Sequence, residues 1–403
     1  MNARNGFLLL FFCGSSLSFG AAPQVFSINP RLFSKSEEPL EIVACADNQP
    51  NQVLLRWSSS LEQGTEEMTW QPDGECWKAS LSAKQIRGEE IRYQILAHYD
   101  GNMLVQSPEY IVSLYSETIP LAPKTMAVQA KILVQHKWNE SPDAFSLHES
   151  PDGTVIGPAA IVCRKNQVHV LDTAKGRILT YDLHGRRQKQ ILLPTSSASD
   201  LVIDPNDNSF LVISQAEDRV HRLRPGRPIR TQPLNVRRQL AYPAQFRYDP
   251  SSETLMAKDG ARQNRWAGVL RRNQNIFRQS GDISPTQSDV LAETAEGGIL
   301  VKSPRYKSIY SVSFEQPVRC IEETLEDKNG VIWLLFTLEG DYRIRRLCRI
   351  DLEKQTAQTA QIDVWFSFEA ARRMDLTDQG VVLLAGDNQE GRIILFEYQG
   401  ELP

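Results

Sequence analysis

The chain reads as an all-β protein, with a small N-terminal sandwich followed by a six-bladed β-propeller. Three observations carry this expectation. Short apolar runs recur from residue 157 to the C-terminus, punctuated by Asp and Gly, as in Gly157-Pro-Ala-Ala-Ile-Val, Val168-His-Val-Leu-Asp172 and Gly176-Arg-Ile-Leu-Thr-Tyr-Asp-Leu-His-Gly185. Six such copies follow one another at a period of roughly 43 residues, the spacing of propeller blades. Helical periodicity is almost absent from the 403 residues, and strand-like runs alternate with turn clusters throughout.

The elements follow in order. Residues 1–20 read as a signal peptide. Arg4 gives the n-region its charge, and Phe7–Cys13 is apolar but far short of the roughly 20 residues a membrane span needs. Ser18-Phe19-Gly20 places small side chains where a signal peptidase reads, so cleavage is expected after Gly20. Cleavage after Ala22 would leave Pro23 first. A lipid anchor on Cys13 is disfavoured by the bulky Phe12 before it. No later segment is apolar enough to span a bilayer, so the expected location is periplasmic or extracellular.

Residues 23–117 read as the sandwich. Leu40–Cys45, Gln52–Trp57 and Glu90–Ala97 look like strands, separated by turn clusters such as Pro72-Asp-Gly74 and Tyr99-Asp-Gly-Asn102. The stretch Cys76-Trp-Lys-Ala-Ser-Leu, then Ile91–Gly101, then Ser107-Pro-Glu-Tyr110 resembles bacterial fibronectin-III/immunoglobulin-like domains. The resemblance implies that Cys45 and Cys76 fall on two strands of such a sandwich, where they are candidates for a disulfide. Five cysteines remain after the signal, so a monomer keeps at least one free thiol. No CxxC and no Cys/His cluster points to structural zinc. Residues 118–125, with two prolines, read as a linker.

Residues 126–403 read as the propeller. One strand of each copy is expected at Val168–Asp172, Phe210–Ser214, Leu255–Lys258, Ile299–Val301, Val331–Phe336 and Val381–Ala385. The next is expected at Arg177–Tyr181, Arg219–Leu223, Ala267–Leu270, Ser308–Val312, Tyr342–Leu347 and Arg392–Glu397. Copies three and four are degraded, which leaves seven blades as an alternative. The first copy resembles NHL-repeat proteins in its Gly-Pro-x-x-Ile, Val-x-Val-Leu-Asp and Gly-Arg-Ile segments and its Tyr-Asp-x-x-Gly end. Later copies keep Asp200-Leu-Val-Ile-Asp204, Asp327-Lys-Asn-Gly-Val-Ile-Trp333 and Asp375-Leu-Thr-Asp-Gln-Gly380. The last copy stops after its third strand, which would leave an open sheet edge. The strand-like Met126–Val134 is expected to supply the missing strand and close the ring.

Function is less legible. The histidines His98, His136, His148, His169, His184 and His221 fall at different places in their copies and are not expected to converge on a metal. Asp204, Asp249, Glu293, Glu323 and Asp375 near the ends of first strands are candidate oxygen donors for a hard cation, as in lactonase-type propellers. Asp is also the ordinary turn residue of the repeat. No nucleophile elbow, P-loop or zinc-protease motif occurs. The formal net charge is −4, yet Arg219–Arg278 holds fourteen Arg or Lys against three acids. Arg222, Arg224, Arg227 and Arg230 are therefore expected to form an exposed binding face, with Val220, Leu223 and Ile229 turned inward. Its partner would be a protein or an anionic glycan. Nucleic acid is disfavoured by export and by the absence of interleaved aromatics. The leading expectation is a non-catalytic binding or assembly module without a cofactor. The alternative is a divalent-cation-dependent propeller hydrolase or lyase. Oligomeric state stays open.

Overall fold

The computed structural model describes residues 23–398, apart from 28–30, 150–154, 235–242, 250–252, 260–264, 274–275, 280–289, 341–343 and the single residues 108, 225, 296, 304, 307, 328 and 369. The expected signal peptide lies outside the described residues. The fold is all-β and propeller-like. Three one-turn 3-10 segments are the only helical elements among the described residues.

The N-terminal part folds as two sheets over one apolar core. One sheet holds Val25–Ser27, Leu40–Ala46, Cys76–Leu81 and Thr69–Gln71; the other is built on Tyr110–Tyr115, Glu90–Tyr99, Gln52–Ser59 and Gln63–Glu67. Burial alternates along these strands, because each sheet has one face on the core and one toward water. Leu40, Ile42 and Ala44 meet Val53, Leu55, Trp57, Ile91, Tyr93 and Ile95 inside. Cys45 and Cys76 lie one step beyond the paired Ala44 and Trp77, on adjacent strands of the same sheet. Both are thiols in the structure, so the expected bridge is not formed there.

Residues 160–398 form six successive antiparallel sheets, the first being Ala160–Arg164, Gln167–Asp172, Arg177–Asp182 and Arg187–Leu192. The second spans Asp200–Ile203 to Arg230–Pro233 and the third Pro243–Asp249 to Ile276–Gln279. The fourth has three strands of its own, Leu291–Ala295, Gly298–Lys302 and Tyr310–Ser313. The fifth begins with Val318–Glu326 and the sixth with Met374–Leu376. Each of the twelve strands anticipated from the repeat overlaps the second or third strand of one of these sheets, although residues 342–343 of the anticipated Tyr342–Leu347 lie outside the described residues. The second strands read as near-continuous apolar runs because neighbouring sheets cover both faces: every residue of Ile332–Leu338 is buried. Five apolar clusters lie between consecutive sheets, including one between the sixth and the first. Cys320 and Cys348 occupy the first and third strands of the fifth sheet, with Ile332–Leu338 between them, and are also thiols.

The sixth sheet takes its outer strand from Val128–Lys137, which pairs antiparallel with Glu390–Tyr398 from Val128–Tyr398 to Lys137–Glu390. This is the closure inferred from the missing strand. Gly185, in the turn after Arg177–Asp182, has φ +78, and a Cβ there would overlap the carbonyl of Leu133 on the outer strand of the sixth sheet. Only glycine suits both the left-handed backbone and the close approach.

The segment expected as a linker is not free chain. Ile119–Leu121 pairs in parallel with Tyr310–Ser313 and becomes the fourth strand of the fourth sheet. Pro123–Thr125 pairs in parallel with Thr356–Asp363 on the fifth. The chain therefore runs along the outer edges of sheets four, five and six in turn. The two prolines are compatible with this, since an edge strand has a side that donates nothing.

Candidate functional site

The first strands of the sheets pack beside one another: first on second, second on third, fourth on fifth, and sixth back on first. Four of them carry an acid whose carboxylate is bound by chain outside its own sheet. Asp200 accepts the Phe246 N–H at 2.7 Å, from the third sheet. Glu323 accepts the Arg373 N–H at 2.9 Å, from the lead into the sixth. Asp375 accepts the Cys163 N–H at 2.6 Å, from the first. Glu293 breaks the pattern: its Oε2 accepts N–H groups of Leu32 (3.1 Å) and Phe33 (3.0 Å) from the N-terminal part. Those two residues also pack on Leu300 and Ile309. These acids act as latches between elements. A carboxylate given backbone donors is a strong acceptor, and without them its burial would be costly.

Arg372 stands among the latches. Its Nε lies 3.6 Å from Asp200 Oδ1, and its guanidinium donates to the carbonyl of Phe246. Gln245 Nε2 donates to Glu323 Oε2 at 2.9 Å and to the Ala371 carbonyl at 2.6 Å. Burial pushes the carboxyls of Asp200, Glu323 and Asp375 above their ordinary range, while Arg372 and the N–H donors pull them back. Burial also works against the charge of Arg372, but the attraction of Asp200, Asp375 and Glu323 prevails and holds it protonated. A cavity of about 190 Å³ opens beside this cluster, lined among others by Gln245, Arg247, Glu323, Glu326 and Arg372. Its lining mixes charges of both signs with the apolar Val290 and Leu325.

Of the five acids proposed as oxygen donors, only Glu323 lines this cavity, and Asp375 lies beside it through Arg372. Glu293 serves the N-terminal contact. Asp204 is buried against Arg222 at 2.7 Å. The side chain of Asp249 lies outside the described residues. Among the described residues, no three His, Cys, Asp or Glu side chains are grouped to hold a metal ion. Asp200, Gln245 and Arg372 were not singled out from the sequence. A signal existed for Asp200: Asp-Leu recurs at Asp200-Leu201 and Asp375-Leu376, both at first strands.

The arginine face is corrected in part. Arg222 is not exposed: it lies in the third strand of the second sheet, 6% accessible, and bonds Asp204, Asp207 (2.8 Å) and Ser209 (2.9 Å). Both faces of that strand are covered by neighbouring sheets, so Val220, His221, Arg222 and Leu223 are all buried whatever their parity. Arg224 is partly exposed and pairs with Asp207. Arg227 and Arg230 are exposed, as is Ile229, expected inward but 43% accessible. Arg237, Arg238 and Arg262 lie outside the described residues, as do the side chains of Arg265, Arg271 and Arg272.

The histidines do not converge. His169 is in the second strand of the first sheet, its Nδ1 2.9 Å from Thr180 Oγ1; His221 is in the third strand of the second, with Thr231 as its partner. Burial, with Arg164 and Lys189 nearby, lowers the His169 pKa from 6.5 to about 4. The folded state therefore keeps this ring neutral where the unfolded chain would protonate it. Its contribution is full above pH 6.5 and is lost as pH falls toward 4, a loss of about 3 kcal/mol. The buried acids have the opposite slope over part of this range, so the comparison must be differential. His169→Gln is expected to flatten the fall in stability between pH 6.5 and 4, read from denaturant midpoints of parent and variant. Parallel curves would show that His169 does not titrate in this window.

These arrangements define an all-β, propeller-like protein whose sheets are latched to one another by buried acids. No family model matches the chain, and no curated relative matches it by sequence. Similar solved structures include a streptogramin B lyase, 14% identical, covering 85% of this chain and 97% of that one at a TM-score of 0.34. A DUF4221 member from Bacteroides vulgatus is 10% identical, over 69% of this chain and 100% of that one, at 0.39. An auxiliary nutrient binding protein from Bacteroides ovatus is 10% identical, over 93% and 98%, at 0.29. Similarity at this level carries no argument about activity or ligand.

Proposed function

We propose that the protein is an exported, non-catalytic binding or assembly module. In this reading a six-bladed, NHL-like propeller (126–403) follows an immunoglobulin/fibronectin-III-like sandwich (23–117), joined by residues 118–125. Propeller face and sandwich serve as recognition surfaces for a protein or an anionic glycan, with Arg227 and Arg230 as the exposed remainder of the arginine strip. A Cys45–Cys76 bridge, formed by a thiol-oxidising partner after export, belongs to the same proposal. One observation supports the non-catalytic reading above all: the acids Asp200, Glu323 and Asp375 are engaged by backbone N–H groups, with Arg372 among them. A hydrolytic divalent cation needs several free oxygen ligands and no competing guanidinium.

Metal analysis tests this directly. Protein purified without chelator and equilibrated with calcium is expected to carry no stoichiometric ion. Its melting temperature should not rise with calcium or fall with a chelator, because a ligand raises it only by binding the folded state more tightly than the unfolded one. One tightly held divalent ion per chain, with a melting temperature lowered by chelation, would favour the hydrolase or lyase reading instead.

A further inference from the structure

A second hollow, sharing no residue with the first, lies on the outward face of the N-terminal sheet. Strand pairing sets its floor in two rows. Thr65, Arg56 and Gln94 stand side by side across three strands, and Gln63, Ser58 and Arg92 form the next row. Leu55, Trp57, Tyr93 and Ile95 alternate with them and point into the core, so alternation turns the polar set outward. Glu109 lies on the neighbouring strand's approach, where it accepts from Arg92 Nη1 at 3.2 Å; Arg92 Nε is held by Glu90 at 2.7 Å. Short Ser58 and Thr65 between longer neighbours leave a cavity of about 440 Å³, within the usual size of small-ligand sites. Gln63–Glu67 is the last strand of its sheet, so the hollow opens at an edge.

The two arginines differ. Arg92 is held between two carboxylates. Arg56 is exposed and has no ion pair or side-chain hydrogen bond among the described residues. An uncommitted guanidinium calls for an anionic oxygen pair. The remaining groups are amides, hydroxyls and the carboxylate of Glu109, which need a ligand that both donates and accepts. Sulfate brings no donor for the Glu109 and amide oxygens, and inorganic phosphate is too small to reach both them and Arg56. A sugar ring bearing a carboxylate brings both, with adjacent hydroxyls for the amides and an acid for Arg56.

We propose that this face of the N-terminal sheet is a binding site for a uronic-acid-bearing saccharide, with Arg56 as the anchor of the sugar carboxylate. The site stands independently of the first hollow and of the arginine strip. The probe is a glucuronic-acid tetrasaccharide titrated into the full chain by calorimetry, beside a neutral glucose tetrasaccharide and an aspartate-rich peptide. Saturable binding of the uronate, weaker binding of the neutral sugar, and a loss of roughly tenfold or more in Arg56→Gln at unchanged melting temperature are expected. The control Arg87→Gln, at an exposed arginine that does not line the hollow, should bind the uronate as the parent does. The proposal is overturned by no saturable uronate binding, by equal affinity of parent and Arg56→Gln, or by preference for the peptide. An equal loss in Arg87→Gln would mean that the affinity follows overall charge and not the hollow, and would also overturn it.

Discussion

A chain lacking residues 126–137 is expected to lose its folded monomer. Val128–Lys137 supplies the outer strand of the last sheet, and Leu133 and Val134 join the cluster that packs the sixth sheet on the first. Just beyond it, the Trp138 indole N–H donates to the Asp387 carbonyl at 2.7 Å, in space left by Gly386 and Gly391. Each lost ladder hydrogen bond costs about 1 kcal/mol net, and each buried aliphatic side chain about 2. Summed over the strand, the loss is comparable with the roughly 5–15 kcal/mol that holds a domain together. It also bares Glu390–Tyr398 as an open edge, a template for aggregation. The deleted chain should therefore run as aggregate in size-exclusion chromatography. A peptide of residues 126–138 added during refolding should restore part of the monomer by strand complementation. A soluble monomer with the parent's melting temperature would show that the ring does not depend on this strand.

Arg372→Met is expected to cost about 3–5 kcal/mol at neutral pH, because it removes the guanidinium whose charge acts on Asp200, Asp375 and Glu323 together. The sign with pH distinguishes this from simple loss of packing. Those carboxyls already sit above their ordinary range through burial, and without the guanidinium they rise further. An acid whose folded pKa is raised favours folding while protonated, and the advantage disappears as pH rises through the folded pKa. The variant's deficit should therefore shrink on acidification from pH 8 toward pH 4.5. Arg372→Lys keeps a charge but loses the planar fork, so it should recover only part of the stability. Denaturant midpoints of the three proteins at both pH values provide the measurement. A deficit in Arg372→Met that is equal at pH 4.5 and 8 would mean that Asp200, Glu323 and Asp375 do not depend on Arg372.

The strand plan was legible because it is written locally. Apolar runs such as Val168–Leu171 and Val381–Ala385, bounded by Asp and Gly, announce strands and turns without reference to anything distant. Even the closing strand could be inferred, since a last copy with three strands demands a fourth. The outward set Arg56, Ser58, Gln94 is likewise implied by alternation, although nothing in it announces a site until neighbouring strands align.

The arginine strip shows where such reading fails. Alternation assigns Arg222 to water only if one face of its strand is wet, but in the stacked sheets both faces are covered, and Asp204 and Asp207 make its burial tolerable. The prolines of 118–125 suggested a spacer, yet they lie on edge positions where a missing N–H costs nothing. The latches were also hidden. Glu293, Glu323 and Asp375 were visible as acids near first strands, but what each one holds depends on which sheet arrives beside it.

The sequence by itself determined the all-β class, the repeat, the order of strands and the need for a borrowed closing strand, because these follow from hydrophobic period and turn chemistry within a few residues. Only the tertiary structure decided which acids bind backbone, which arginine is buried, and that the fourth sheet completes itself with residues 119–121. Those outcomes are set by contacts between segments up to 261 positions apart, as between Leu32 and Glu293, and no local pattern encodes which distant group will meet a given charge.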